Sequence, residues 1–218
     1  MTGEAMAPGT PAPPGRPPVR LVIFDMDDVL LHYDVAARQQ AIAELAGLSL
    51  ADVARLIWED GIEDAADAGK LDADAYLAAL SAALRVPFGR PEWARTRGLA
   101  MTLFPQVVDL ALRVARRTPI ALLTNNGHIM KEHFDLLVPG LREVFGPAMH
   151  VAAEFNTKKP DPDIYRRLAA LYGAAPQEAV MIDDKQVNID GARAAGLHAH
   201  RFTDAAGLER FLAGLSLI

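Results

Sequence analysis

Leu21-Val22-Ile23-Phe24 is a short apolar run, rich in β-branched side chains, that stops abruptly at Asp25, Asp27 and Asp28. A run that is apolar at every position reads as a strand buried on both faces, and such strands occur in parallel sheets covered by helices on both sides. In open α/β sheets, ligands bind just beyond the carboxyl ends of the parallel strands. The three acids therefore stand where a site is expected. One Asp at a strand end is ordinarily a helix cap or a turn residue. Three together repel one another and raise each other's pKa unless something positive compensates them. The rest of the chain, or a bound cation, must supply that partner.

The 218 residues suffice for one large domain, or one domain carrying an insertion, and the 51% hydrophobic content allows a sizeable core. No apolar run approaches the roughly 18 residues of a membrane span. A formal charge of −6 without a basic stripe argues against nucleic acid as a partner. The absence of cysteine removes disulfides, thiolate chemistry and Cys-type zinc sites, and is compatible with a reducing cytoplasm; a monomer or homodimer is expected. Met1–Pro18 holds six prolines and lacks the charged-then-apolar order of a signal peptide. It reads as a disordered, partly polyproline-like tail; as a docking segment it lacks an aromatic anchor and has Arg16 as its one base.

From Asp34 to Gly98 the chain is rich in Ala and Leu at helical spacing. Helices are expected over Val35–Ala46, Leu50–Glu59 and Ala73–Leu84, the last capped by Asp72, with another around Glu92–Leu99. So long a helical stretch exceeds what one crossover between parallel strands needs, and residues 34–98 read as an inserted helical subdomain. From Pro105 a strand–helix rhythm begins. Strands are expected over Pro119–Leu123, His150–Ala152, Ala179–Ile182 and Leu197–Arg201. Between and after them come helices over Val107–Arg117, Met130–Leu137, Asp163–Tyr172, Val187–Ala195 and Ala205–Leu215, with Gly196 as a helix stop. The fold class is α/β: a doubly wound, parallel, Rossmann-like sheet built from 19–33 and 99–218, with an inserted α-helical subdomain.

Three later strand exits carry polar residues. Thr124-Asn125-Asn126-Gly127 alone is an Asn-Gly turn, Lys159 before Pro160 a solvated lysine, and Asp183-Asp184 a pair favouring the next helix N-terminus. Together with the first acids they form a phosphoryl-transfer set. A carboxylate can attack phosphorus, and Mg²⁺ is held by one or two carboxylates plus phosphate and water. A lysine and a hydroxyl can hold the phosphoryl oxygens, while a second carboxyl protonates the leaving alcohol and later activates water.

The order of these segments resembles the haloacid dehalogenase superfamily of hydrolases over roughly Val19 to Phe211. The matching residues are Phe24-Asp25-Met26-Asp27-Asp28-Val29-Leu30, Leu123-Thr124-Asn125-Asn126, Lys159-Pro160-Asp161-Pro162-Asp163-Ile164-Tyr165, and Met181-Ile182-Asp183-Asp184 with Asn188 through Gly196. The resemblance implies Asp25 as nucleophile and metal ligand, and Asp27 as general acid/base with its backbone carbonyl on the metal. Thr124 and Lys159 are implied to hold phosphate, with Asn125 nearby in the substrate site. Asp184, with Asp183, is implied to anchor Mg²⁺. The helical insertion resembles the cap of the superfamily's first subclass, which restricts substrates to small molecules. True dehalogenases keep no Asp two residues after the nucleophile, so Asp27 favours phosphate over halide. The implied partner is a small phosphorylated metabolite such as a sugar phosphate. The chain departs from the family at Asp28, where Gly is usual.

Other readings stand beside this phosphatase. A phosphomutase uses the same site with a sugar hydroxyl in place of water. A phospho-accepting receiver combines similar residues, but in another order and without a helical insertion. A non-catalytic binding protein on the same scaffold leaves the complete motif set unexplained. The histidines show no convincing zinc spacing. His32 and Tyr33 follow the acid cluster and are candidates for substrate contact, whereas Trp58 and Trp93 read as packing residues of the helical insertion.

Overall fold

Strand β1 (Leu21–Phe24) enters a five-stranded parallel sheet at its centre. The chain then leaves that sheet through β2 (Leu31–Tyr33), which pairs antiparallel with β3 (Met101–Leu103) in a separate two-stranded ribbon. Between them run α1 (Val35–Ala46), α2 (Leu50–Val53), α3 (Ile62–Asp67), α4 (Ala73–Leu84) and α5 (Arg90–Leu99). The remainder alternates: α6 (Pro105–Ala115), β4 (Ile120–Thr124), α7 (His128–Leu137), α8 (Pro139–Phe145) and β5 (Met149–Val151). It closes with α9 (Pro162–Leu171), β6 (Ala179–Asp183), α10 (Gln186–Ala194), β7 (His198–Arg201) and α11 (Ala205–Gly214). This computed structural model describes residues 18–218; the proline-rich segment before them, expected to be a disordered tail, lies outside the described residues.

The sheet order is β5-β4-β1-β6-β7, with β1 flanked by β4 and β6 in parallel register. Alternation along the strands divides the core in two. Val22, Phe24, Leu122, Val180 and Ile182 face one side. Leu21, Ile23, Ala121, Leu123 and Met181 face the other, against Ile164, Tyr165, Leu168 and Ala192 of α9 and α10. Each strand is thus apolar on both faces because helices cover both. The first of these cores continues into the helical segment through Ile42, Ile57, Tyr76, Leu80 and Trp93, so one apolar cluster joins segment and sheet.

Most expected elements form within one or two residues of their anticipated ends. Asp72 caps α4 by accepting from Ala75 N at 2.8 Å, and Gly196 adopts the left-handed φ of +96° that ends a helix. Three features differ. Leu50–Glu59 is not uniformly α-helical: α2 widens into a π-helical stretch over Ala54–Glu59. Helices α3 and α8 form where none was expected, each too short to complete two turns of apolar repeat. The ribbon β2–β3 precedes the expected second strand, and three-residue strands carry no legible alternation.

Candidate active site

The polar residues stand where the central strands run out at the sheet's carboxyl edge. Asp25 follows β1, Thr124 and Asp183 are the last residues of β4 and β6, and Lys159 lies in the loop after β5. Asp25, Thr124, Lys159 and Asp183 are all buried. Lys159 Nζ bridges Asp25 Oδ1 at 2.7 Å and Asp183 Oδ2 at 2.6 Å. Its backbone is held by Asn125, whose Oδ1 accepts from Lys159 N and whose Nδ2 donates to Lys159 O, both at 2.9 Å. Gly191 of α10 lets this loop approach: a Cβ there would meet Pro160 O at 2.1 Å. Asp183 Oδ1 accepts from Lys185 N and Asn188 Nδ2, each at 2.9 Å.

These contacts set the charge states. Burial pushes the Asp25 carboxyl well above the usual range; Lys159 pulls it back, while Asp183 adds to the rise. Burial also opposes the charge of Lys159, yet Asp25 and Asp183 outweigh it and raise the ammonium's pKa. Burial acts against ionised Asp183 too, but Lys159 and its hydrogen bonds hold that carboxyl below normal. Burial and then Asp183 raise Asp184.

Lys159 pairs with two of the three carboxylates gathered here. Asp25, Asp183 and Asp184 each offer an oxygen within 4.8 Å of the others, and Asp184 Oδ1 is buried with no hydrogen-bond partner. An all-oxygen donor set with an orphaned carboxylate oxygen fits a hard divalent cation such as Mg²⁺. The Asp27 side chain stands apart from this group. Its carboxylate faces a cleft of about 340 Å³ between the sheet's carboxyl edge and the helical segment. Both its oxygens accept from Arg97 Nη2, at 3.0 and 2.8 Å, and Asn126 Nδ2 reaches Oδ2 at 3.3 Å. Asn126 Nδ2 also donates to Thr124 Oγ1 at 2.7 Å, linking Asp27 to the strand-end set.

Asp28 has a φ of +60°, the left-handed region in which glycine is least strained. Its carboxylate offsets part of that cost by accepting from Tyr33 N at 3.2 Å and by standing 3.2 Å from His32 Nδ1. The residue usual at this position in the resembled family is therefore explained by backbone conformation.

A profile of haloacid dehalogenase-like hydrolases matches residues 19–196. The chain belongs to this hydrolase family. It is 26% identical over 198 residues to a protein named phosphatase from Mycobacterium tuberculosis, covering 88% of this chain and 90% of that one. A phosphoserine phosphatase from Thermus thermophilus is 34% identical over 126 residues, 54% of this chain and 50% of the relative. In fold, the hydrolase is similar to a family enzyme from Bacteroides thetaiotaomicron solved with magnesium and inorganic phosphate. The TM-score there is 0.74 at 16% identity, over 85% of this chain and 94% of that one.

Several residues of this hydrolase's cleft escape sequence reasoning. Arg97 and Arg38 are almost fully buried, and Glu63, Asp64, Asp67 and Lys185 line the opening. Arg97 had one available signal, its place four residues after Trp93 on the buried face of α5. Of the expected packing tryptophans, Trp93 is core, and Trp58, partly buried against that core, also lines the cleft with Arg38 over its ring at 5.4 Å. Tyr33 also lines the cleft, while His32 is exposed. His133 packs on Trp93, His200 stacks on Phe211 and His150 contacts Tyr172.

Proposed function

We propose that this hydrolase is a Mg²⁺-dependent phosphatase acting on a small cytoplasmic phosphomonoester, such as a sugar phosphate, through an aspartyl-phosphate at Asp25. The observation that carries the reading is the buried bridge of Lys159 between Asp25 and Asp183, with Thr124 at the neighbouring strand end. The phosphatase names of two relatives, and the magnesium and phosphate of a structural neighbour, support it.

In this reading Asp25 Oδ attacks phosphorus, a phosphorus–oxygen bond forms, and the bond to the ester oxygen breaks. Asp27 gives its proton to that oxygen, which leaves as an alcohol. Asp27 then takes a proton from the water that cleaves the acyl phosphate. Lys159 and Thr124 hold the phosphoryl oxygens as charge redistributes. Asp25, Asp183 and Asp184, with the Asp27 backbone carbonyl, would hold Mg²⁺, which when bound neutralises phosphate charge. Residues 34–98 act as a cap that shields the cleft from water and limits the leaving group's size.

The test is steady-state hydrolysis of 4-nitrophenyl phosphate with Mg²⁺, with EDTA and with Asp25→Asn. Turnover that needs the metal and disappears in the variant is expected. Turnover indifferent to both changes would sink the aspartyl-phosphate reading.

A further inference from the structure

Two side chains grip the Asp27 carboxylate from opposite sides of the cleft. Asn126, from the loop after β4, donates to Oδ2 alone. Arg97, from α5 of the helical segment, spans both oxygens with Nη2. A carboxylate offers about four acceptor positions. Oδ2 has two of its lone pairs engaged, whereas Oδ1 keeps one free. Arg97 is itself held in place. Its guanidinium lies 3.8 Å from the centroid of the Tyr33 ring, and the Tyr33 hydroxyl accepts from Arg38 Nη1 at 2.9 Å. Arg38 is in turn fixed by Glu63 at 2.6 Å and by Tyr76 Oη at 3.1 Å. A continuous set of partly buried contacts therefore runs from Glu63 through Arg38, Tyr33 and Arg97 to Asp27.

We infer that Arg97 is a positioning residue for Asp27: seated by the helical segment, it turns Asp27 Oδ1 toward the leaving oxygen. The inference rests on the phosphatase reading above. In the step concerned, the ester oxygen–phosphorus bond breaks and the proton on Oδ1 passes to the departing oxygen. Lys at position 97 would keep the charge but lose the guanidinium over the Tyr33 ring, so Arg and Lys are not equivalent here.

The test compares two esters of similar shape, phenyl phosphate and 4-nitrophenyl phosphate, with Mg²⁺ and the full chain. The nitrophenolate leaves readily without a proton; phenolate needs one more. Arg97→Gln is expected to lower kcat on phenyl phosphate about 30-fold and on the nitrophenyl ester less than about 3-fold. That is part of the roughly 100- to 10,000-fold that a positioned general acid supplies. Arg97→Lys, which retains the cation should the Gln variant fold poorly, shows the same selectivity to a smaller degree. Asp27→Asn calibrates the assay. If Asp27→Asn is selective for phenyl phosphate and the Arg97 variants lose both esters equally, or neither, the positioning role is overturned. If Asp27→Asn itself falls equally on both, the acid assignment of the proposed function is what fails.

Discussion

Two groups of charge, one at the strand ends and one in the helical segment, are balanced differently. At the strand ends Asp25 and Asp183 share the ammonium of Lys159, while Asp184, close to both, keeps one oxygen buried without a partner. In the helical segment each buried arginine has a carboxylate of its own, Arg38 with Glu63 and Arg97 with Asp27 across the cleft, while burial and then the nearby Glu63 push the further carboxyl of Asp67 well above its usual range. Glu63 binds Arg38 through one oxygen and Tyr76 through the other. Burial opposes the charge of Glu63, yet Arg38 and the Tyr76 hydroxyl outweigh it and hold the carboxyl below its usual range. Asp25 is pushed in the opposite direction. A compensated cluster fixes geometry, whereas an under-compensated one retains the capacity to take up further positive charge.

The largest test of that contrast removes Lys159. Lys159→Met leaves Asp25 and Asp183 facing each other without their cation. With EDTA present this is expected to cost about 4 kcal/mol in urea unfolding, within the range for breaking a buried pair. Magnesium should then stabilise the variant more than it stabilises the wild type. An equal response of the two proteins to magnesium would break the comparison.

Glu63→Gln probes the balanced side. The loss expected is about 2 kcal/mol at neutral pH, the scale of hydrogen bonds to charged groups. The folded carboxyl sits below its ordinary value of 4.5, so its stabilisation is complete above that pH. It fades as the pH falls through the folded value. The gap in urea midpoint between wild type and variant should therefore narrow in acid; a gap that widens would reverse the assigned direction.

Asp28→Gly sharpens the boundary between the two groups with the smallest effect. Glycine relieves the left-handed backbone but forfeits the acceptor for Tyr33 N. These opposing contributions leave a net change of about 1 kcal/mol or less, with kcat and KM unaltered. A clear kinetic change would mean that the Asp28 charge acts on the strand-end cluster after all.

Much of the strand-end group is legible in the chain itself. Asp25, Thr124 and Asp183 each close an apolar run, and position along a run maps directly onto position at the sheet's edge. The Arg97–Asp27 pair is not legible, because 70 residues separate its members and α5 carries two other arginines, Arg90 and Arg95, that are exposed. Trp58 packs against the core as expected and also lines the cleft, which its residue type does not reveal. Asp28 showed as an anomaly of residue type, and its φ supplied the reason.

The sequence by itself determined the parallel sheet, the acids at its edge and the long helical insertion after the first strand. Each of these depends on local apolar periodicity and its interruption. Only the tertiary structure decided which charges compensate which. That outcome depends on distances between segments that contribute to one cleft from far apart in the chain, and on a burial that turns weak surface attractions into strong ones.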